Sequence, residues 1–505
     1  MSPDLLRILP ELTLAAGGMA LLVLPVLRSA RLLGLLSLLA LAGAADLKLF
    51  DFLRRPAAEG SAFSGMLALD GFGFFFQMAI LAAMGLVALS VMGHAPGGVS
   101  GAASSSGSHA RQEIRARREF HALFLLSGVG LLLVAAAQNL ALVYLGLELV
   151  SVFSYLLVGF QKREPRAVEA GLKYFLFGAL SMGAMLYGIT LVYGLTGTMD
   201  LPVLSAVFPQ AFARAPLLGS AALLFLVVGL GFKLALVPFH MWAPDAYEGA
   251  PAPVASFLSL APKLAGFAVL ARVLLLGLSP GTVAWPGLLA GLAVLSMTLG
   301  NLAALGQSNV KRMLAYSSIA HAGTMVIGLA VATPLGLSAL LYYLAAYLLM
   351  NAGAFAGVIA VGNAEGREDV EAFAGLSRRE PALAFMIAVC FLALAGIPPL
   401  AGFFAKMWIF AAALKAGAPE LAVIAAVNSV ISLFYYVRVV KAMYLDPVPS
   451  RAAAIPKAHS LRLVLALCAA GLFIIGLWQG PWLDLAAGSL PLPLRAAGLP
   501  WRFSP

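Results

Sequence analysis

Apolar runs long enough to cross a membrane recur from one end of the chain to the other, with mostly short polar turns between them. A stretch of about 18 apolar residues or more marks a transmembrane helix, because every backbone polar group must be satisfied inside the lipid. A strand barrel would instead alternate apolar and polar residues over about ten positions. That pattern is absent. Of 505 residues, 62% are hydrophobic and 11% charged. No soluble domain hides so much apolar surface, since core volume grows too slowly with chain length. The expected fold class is an all-α polytopic membrane protein with about fourteen transmembrane helices.

These spans are read near 8–27, 32–50, 71–92, 120–137, 139–160, 166–195 and 216–239, then 253–278, 285–305, 310–331, 336–361, 381–414, 420–445 and 461–484. Alternate connections carry most of the basic residues. One side holds Arg28 and Arg31, Arg111 to Arg118, Lys162, Arg163 and Arg166, and Lys311 and Arg312. It continues with Arg367, Arg378, Arg379, Lys441, Arg451, Lys457 and Arg462. The other side holds only Arg7, Arg54, Arg55, Arg214, Lys415, Arg495 and Arg502. The positive-inside rule then places both termini outside, on the periplasmic side of a bacterial inner membrane, as an even span count requires. Pro10 and Glu11 lie in the first run, and its basic residues follow it, so a retained span is expected rather than a cleaved signal.

The net charge of +10 sits in the connections, so lipid and not nucleic acid is the expected partner. Cys390 and Cys468 each lie inside an apolar run, with no metal-ligand or disulfide spacing, and read as packing residues. Neither a Walker loop, a dinucleotide fingerprint nor a nucleophile elbow is present. The 71–73 GFG reads as helix packing or a turn. No metal site or bound cofactor is expected in this chain.

Organisation divides the chain into three N-terminal spans (1–93), a linker (94–119), two groups of five spans (120–280 and 281–446) and a final span with its tail (447–505). Residues 94–112 are rich in Gly, Ser and Ala and read as flexible, with His94 and His109 solvated. The two groups of five must run in opposite directions through the membrane. Each contains an interrupted span with a buried lysine: GFKLALVPFHMW around Pro238, and AGIPPLAGFFAKMW around Pro398 and Pro399. Proline removes a backbone donor and clashes with the preceding turn. The freed groups then need water or polar side chains. Paired broken segments in inverted repeats point to a transport site near the midplane.

Charge inside the hydrocarbon is the second signal. Glu148, Lys173, Lys233, Lys263 and Lys406 lie within spans, and such a charge costs at least about 2.5–3.5 kcal/mol at the bilayer centre. Five of them point to function over packing, and one carboxylate does not neutralise four lysines, which argues against static ion pairing. Lys48, Arg272 and Arg438 lie nearer span ends and are expected to snorkel. His121 is expected at an interface. The chemistry indicated is proton relay: a lysine in water, near pKa 10.4, holds its proton too tightly to pass it on, while desolvation and nearby positive charge loosen it. His240, after the Pro238 break, and His321, inside the tenth span, are expected as secondary relays. Trp242, Asp245 and Glu248 lie in the connection that follows the break.

Three motifs carry a family resemblance: GLGFKLALVPFHMWAPDAYEGAPAPV, LGLELVSVFSYLLVGF and LAGIPPLAGFFAKMWIF. They resemble the antiporter-like membrane subunits of respiratory complex I, the bacterial NADH–quinone oxidoreductase, over nearly the whole chain. ILPELTL at 8–14, the overall length and Lys406 are most similar to the subunit N branch; subunit M is expected to carry glutamate there, and subunit L a long C-terminal extension. The 94–112 insertion departs from the pattern.

The resemblance implies fourteen helices with two inverted five-helix repeats and discontinuous seventh and twelfth helices. It also implies proton translocation driven by electron transfer from NADH to quinone in other subunits, which would hold the FMN, iron–sulfur clusters and quinone. By motif, Glu148 and Lys173 would form a modulating pair, Lys233 the central carrier, Lys263 its continuation and Lys406 the exit-side carrier. Partners would be the other membrane subunits of the complex. A subunit of a multisubunit cation/proton antiporter and a purely structural membrane subunit are the alternative readings.

Overall fold

Helices dominate the computed structural model, which describes residues 3–23, 29–54, 60–94, 107–278, 285–450 and 452–491. In chain order they are α1 (Pro3–Arg7), α2 (Leu9–Val23), α3 (Ala30–Leu53), α4 (Gly71–Gly93), α5 (Gly107–Ala136), α6 (Leu140–Val158) and α7 (Pro165–Thr196). Next come α8 (Leu201–Arg214), α9 (Pro216–Leu234), α10 (Trp242–Gly249), α11 (Ala252–Arg272), α12 (Trp285–Leu305), α13 (Val310–Ala330) and α14 (Pro334–Glu365). The last are α15 (Leu376–Arg379), α16 (Pro381–Ala395), α17 (Ala401–Lys415), α18 (Pro419–Tyr444), α19 (His459–Leu477) and α20 (Gln479–Gly488). Among the described residues 12 helices are long and apolar enough to cross a membrane, and α2 and α16 are shorter apolar helices. Counting α16 with α17 as one broken span, these coincide with the expected fourteen.

Burial separates an inner layer from an outer one. The whole apolar window of α11 is buried, as are 94% of α13 and 89% of α14, against 33% for α3 and α18. A helix that is apolar all round belongs in the interior. These three form the centre, and they carry Lys263 and His321.

The two groups of five are built alike at the residue level. Asn139 caps α6 through its side chain and bridges Asp200; Asn309 caps α13 and bridges Asp369. The backbone bonds repeat as well: Leu140 N donates to Met199 O and Leu201 N to Gln138 O, while Val310 N donates to Glu368 O and Val370 N to Ser308 O. Helices α7 and α14 are each 32 residues long, start with proline and end on a left-handed glycine, Gly197 or Gly366. From the start of α6 to the start of α13 the chain crosses the membrane five times, by α6, α7, α9, α11 and α12. Identical clamps therefore lie on opposite sides, and the repeats are inverted.

Several details depart from the sequence reading. The seventh span stops at Leu234, before Pro238, because Ala235 turns left-handed at φ 55°. The twelfth, by contrast, is broken as expected: it stops at Ala395, turns at Gly396 (φ 89°) and resumes at Ala401. The last span ends at Leu477, and α20 follows as a separate helix. Helix α8 was not expected; it buries Leu201, Leu204, Phe208 and Ala211 on one face and lies between α7 and α9 without crossing. A short hairpin pairs Gly60–Ala62 with Leu67–Leu69. Helix α5 starts at Gly107, inside the stretch read as linker, and residues 95–106 of that stretch lie outside the described residues. Arg28, Arg55, Arg451, Arg495 and Arg502 also lie outside them.

Candidate functional site

Lys233 is the last residue but one of α9 and is 4% exposed. Its Nζ donates to Ser151 Oγ at 2.5 Å, and that hydroxyl donates in turn to Leu147 O at 2.6 Å. Glu148 stands on α6 one turn before Ser151, so both face the same way. It is half-buried and lies within electrostatic reach of Tyr144 and Lys233. The groups freed by the break in α9 find side-chain partners. Trp242 Nε1 donates to Phe232 O at 3.0 Å, and Val237 N donates to Ser296 Oγ at 3.0 Å. His240 is half-buried beside Pro238.

Further into the centre, Lys263 is 2% exposed and donates to Ser318 O at 2.7 Å and also to Ser318 Oγ. The neighbouring Ser317 hydroxyl bonds Tyr436. His321, one turn along α13, is held on both ring nitrogens: Nδ1 lies 2.8 Å from Tyr343 Oη and Nε2 2.9 Å from Tyr436 Oη. Hydroxyl groups thus line the way from Lys263 to His321. Lys406, 7% exposed, closes the broken twelfth span. Its Nζ donates to Leu394 O at 3.2 Å and Ala395 O at 3.0 Å, the last carbonyls of α16. A cationic donor on such orphan carbonyls is favourable, since a helix C-terminus is partially negative.

Lys173 is placed differently. Its ion pairs are with Glu169 at 2.7 Å and Asp245 at 2.9 Å, and its side chain is 41% exposed. Asp245 is shared with Arg312 at 2.8 Å, and Arg312 also holds Glu248 at 2.7 Å. Lys173 is thus part of a five-membered charge network, Glu169–Lys173–Asp245–Arg312–Glu248, that spans both repeats. Among the described residues, no salt bridge joins it to Glu148.

The residues expected to snorkel do so only in part. Arg272 is 1% exposed and makes a bidentate pair with Asp70 at 2.7 and 2.8 Å, because Asp70 also caps α4 through Gly73 N and faces it across the bundle. Lys48 is buried and faces buried Glu11 at 3.6 Å. Arg438 does reach a connection, donating to Leu305 O and Gln307 O. His121, expected at an interface, is buried and bonds Ser37 Oγ at 3.0 Å. Cys390 and Cys468 are free and buried where α14, α16 and α19 meet, beside Gly353.

Sequence reasoning did not single out Ser151, Ser317, Ser318, Tyr343 or Tyr436. The signal was there in spacing: Ser151 follows Glu148 by three residues, and the serine pair precedes His321 by one helical turn.

Comparison with known proteins matches residues 137–432 to the family described as "NADH:quinone oxidoreductase/Mrp antiporter, TM". The chain is 42% identical to NADH-quinone oxidoreductase subunit N of Parvibaculum lavamentivorans, covering 88% of each chain. It is 42% identical to the subunit N of Methylobacterium nodulans, covering 95% of each. A chain of respiratory complex I from Thermus thermophilus with bound aureothin superposes with a TM-score of 0.77 at 35% identity, over 95% of this chain and 100% of that one. The Mrp complex from Dietzia sp. shares the fold, with a TM-score of 0.80 at 20% identity over 97% of each chain.

Proposed function

Because the chain belongs to the NADH-quinone oxidoreductase subunit N family, we propose that Lys233, Lys263, His321 and Lys406 form the relay by which this proton-translocating membrane subunit of complex I moves protons. Its partners are the other membrane subunits of that complex. Electron transfer from NADH to quinone takes place in other subunits, and this chain's own work is to hold and pass protons. It binds no redox group of its own in this reading. The subunit sits in the bacterial inner membrane, with the Lys162–Arg166 connection on the cytoplasmic side and both termini on the periplasmic side, as the distribution of basic residues favours.

The observation that carries the reading is a row of three buried lysines, each anchored to a hydroxyl or to backbone carbonyls, with the intervals lined by Ser317, Ser318, Tyr436 and His321. Hydroxyls and imidazole both donate and accept, so they can pass a proton without themselves carrying lasting charge. Lys233 takes a proton from the side of the Pro238 break, where the chain is not helical and His240 stands. Lys263 and the hydroxyl-lined interval follow, and Lys406 releases to the far side. Glu148 modulates Lys233 electrostatically through a short interval on α6. Lys173 acts on the same end of the path through Asp245.

The antiporter alternative shares the fold at 20% identity, whereas the subunit N relatives share about twice that. The test is Lys233→Ala in the assembled complex, reconstituted in liposomes. Proton pumping is expected to fall sharply while the subunits remain assembled. Unchanged pumping in an assembled Lys233→Ala complex removes Lys233 from the relay.

A further inference from the structure

A small polar cavity beside Lys406 takes part in none of the contacts described so far. Its volume is about 10 Å³, and its lining includes Lys406, His321, Asn301, Asn428, Ser432 and Tyr435, together with half-buried Ser429. One water molecule needs about 10–15 Å³ and two to four polar partners, so the cavity has the size and chemistry for one. Asn301, Asn428, Ser432 and Tyr435 are all buried, on α12 and α18, whose outer faces carry exposed Leu295, Leu299, Val427 and Phe434. Polar groups turned inward on two otherwise lipid-facing helices are expensive unless they are hydrogen-bonded to one another or to water.

The two amides are held in fixed orientation. Asn301 Nδ2 donates to Asn428 O at 3.1 Å and Asn428 Oδ1 at 3.2 Å, and Tyr435 Oη donates to Asn301 Oδ1 at 2.9 Å. Asn428 Nδ2 donates to Ile424 O at 3.0 Å and to Thr298 Oγ1 at 3.3 Å. Each amide oxygen has two lone pairs, and these contacts use one of each. The second is available to a water O–H. An amide does not titrate near neutral pH, so it orients a water without competing for its proton.

We propose that Asn428 and Asn301 hold the water to which Lys406 gives its proton. The inference rests on the relay reading and adds positioning residues to its last step. In that step one N–H bond of the Lys406 ammonium breaks, its electron pair stays on Nζ, and an O–H bond forms on the held water. The water then loses one of its own protons to a second water beside Ser429, which is only half-buried, and is restored unchanged.

The experiment compares proton pumping by complexes carrying Asn428→Leu, Asn428→Ser and Asn301→Leu, each also in a Lys406→Ala background. Asn428→Leu is expected to lower pumping by up to about a hundredfold, the scale of misplacing a transfer partner by about 1 Å. Asn428→Ser, which keeps an acceptor oxygen, is expected to restore most of it. In the Lys406→Ala background Asn428→Leu is expected to add no further loss. Pumping unchanged by Asn428→Leu, equal loss in Asn428→Ser, or additive loss in the double variant each overturns the proposal. Should Asn428→Leu fail to assemble, Asn301→Leu reaches the same cavity from another helix and is scored by the same outcomes. Normal pumping by Lys406→Ala alone would instead overturn the underlying relay, so the two failures are separable.

Discussion

Lys173 Nζ lies 2.9 Å from Asp245 Oδ2, and the other oxygen of that carboxylate is held by Arg312 at 2.8 Å. The lysine stands on α7 of the first repeat, the aspartate on α10 and the arginine on α13 of the second. Burial pushes the Asp245 carboxyl up, and the hydrogen bonds and charges of Lys173 and Arg312 outweigh it, holding the group below the usual carboxylate range. One carboxylate therefore links the residue thought to modulate the path with the repeat that finishes it.

Asp245→Asn keeps the shape and removes the charge. Partly exposed ion pairs contribute only about 0–1 kcal/mol, so the thermal midpoint of the detergent-solubilised complex is expected to move little. Pumping is expected to fall severalfold because Lys173 loses the partner that ties it to Arg312 and keeps only Glu169 on its own helix. A stability loss with pumping intact would make the network a strut and nothing more.

Ser151 holds the Lys233 ammonium at 2.5 Å. Ser151→Ala is expected to lower proton pumping by about a hundredfold, the lower end of the range general acid–base partners contribute, and Ser151→Thr to retain most of it. Proteoliposome pumping rates, normalised to assembled complex, distinguish the three chains.

A Cβ placed on Gly402 would lie 1.8 Å from Ala393 O, a backbone atom with no cheap way to move. Gly402→Ala is expected to push α17 away from the end of α16 and carry Lys406 off its carbonyls. Lost pumping with Lys406 unaltered in sequence is the expected result, and Gly402→Ala at full activity would show that the α16–α17 corner yields freely.

His94, expected to be solvated, is instead half-buried at the end of α4, and burial, then the charges of Lys311 and Arg117, push its imidazole down to about 4. An unfolded histidine takes up its proton near pH about 6.5, so below that the unfolded state binds a proton the folded state refuses. The His94 contribution is present in full above that pH and is lost as pH falls toward the folded value. Thermal unfolding measured across this window is expected to show a shallower decline for His94→Gln than for the parent.

Much of this was legible in the chain because membrane helices announce themselves by length, and Lys233, Lys263, Lys406 and His321 by being charged or polar where lipid forbids it. Partner choice was not. Lys173 and Glu148 lie on successive spans and read as a pair, yet Asp245 from a connection 72 residues onward takes the lysine. Arg272 and Asp70 are separated by 202 positions, and nothing in local spacing brings them together. The hydroxyls escaped notice for a different reason: serine in a membrane helix commonly bonds its own preceding turn, as Ser154 does to Val150 O at 2.7 Å, so Ser151 and Ser318 look ordinary until a lysine is seen beside them.

Under the proposed relay, Lys406 has two employments at one atom. The same Nζ that would carry the proton also ties down the frayed end of α16 through Leu394 O and Ala395 O. A neutral amine is a poorer fastener for a negative helix terminus than an ammonium. Were Lys406 to discharge as proposed, a corner of the bundle would loosen, and recharging would tighten it, so that the arrival of a proton would be written into the shape of the subunit and be there to be felt by whatever packs against it.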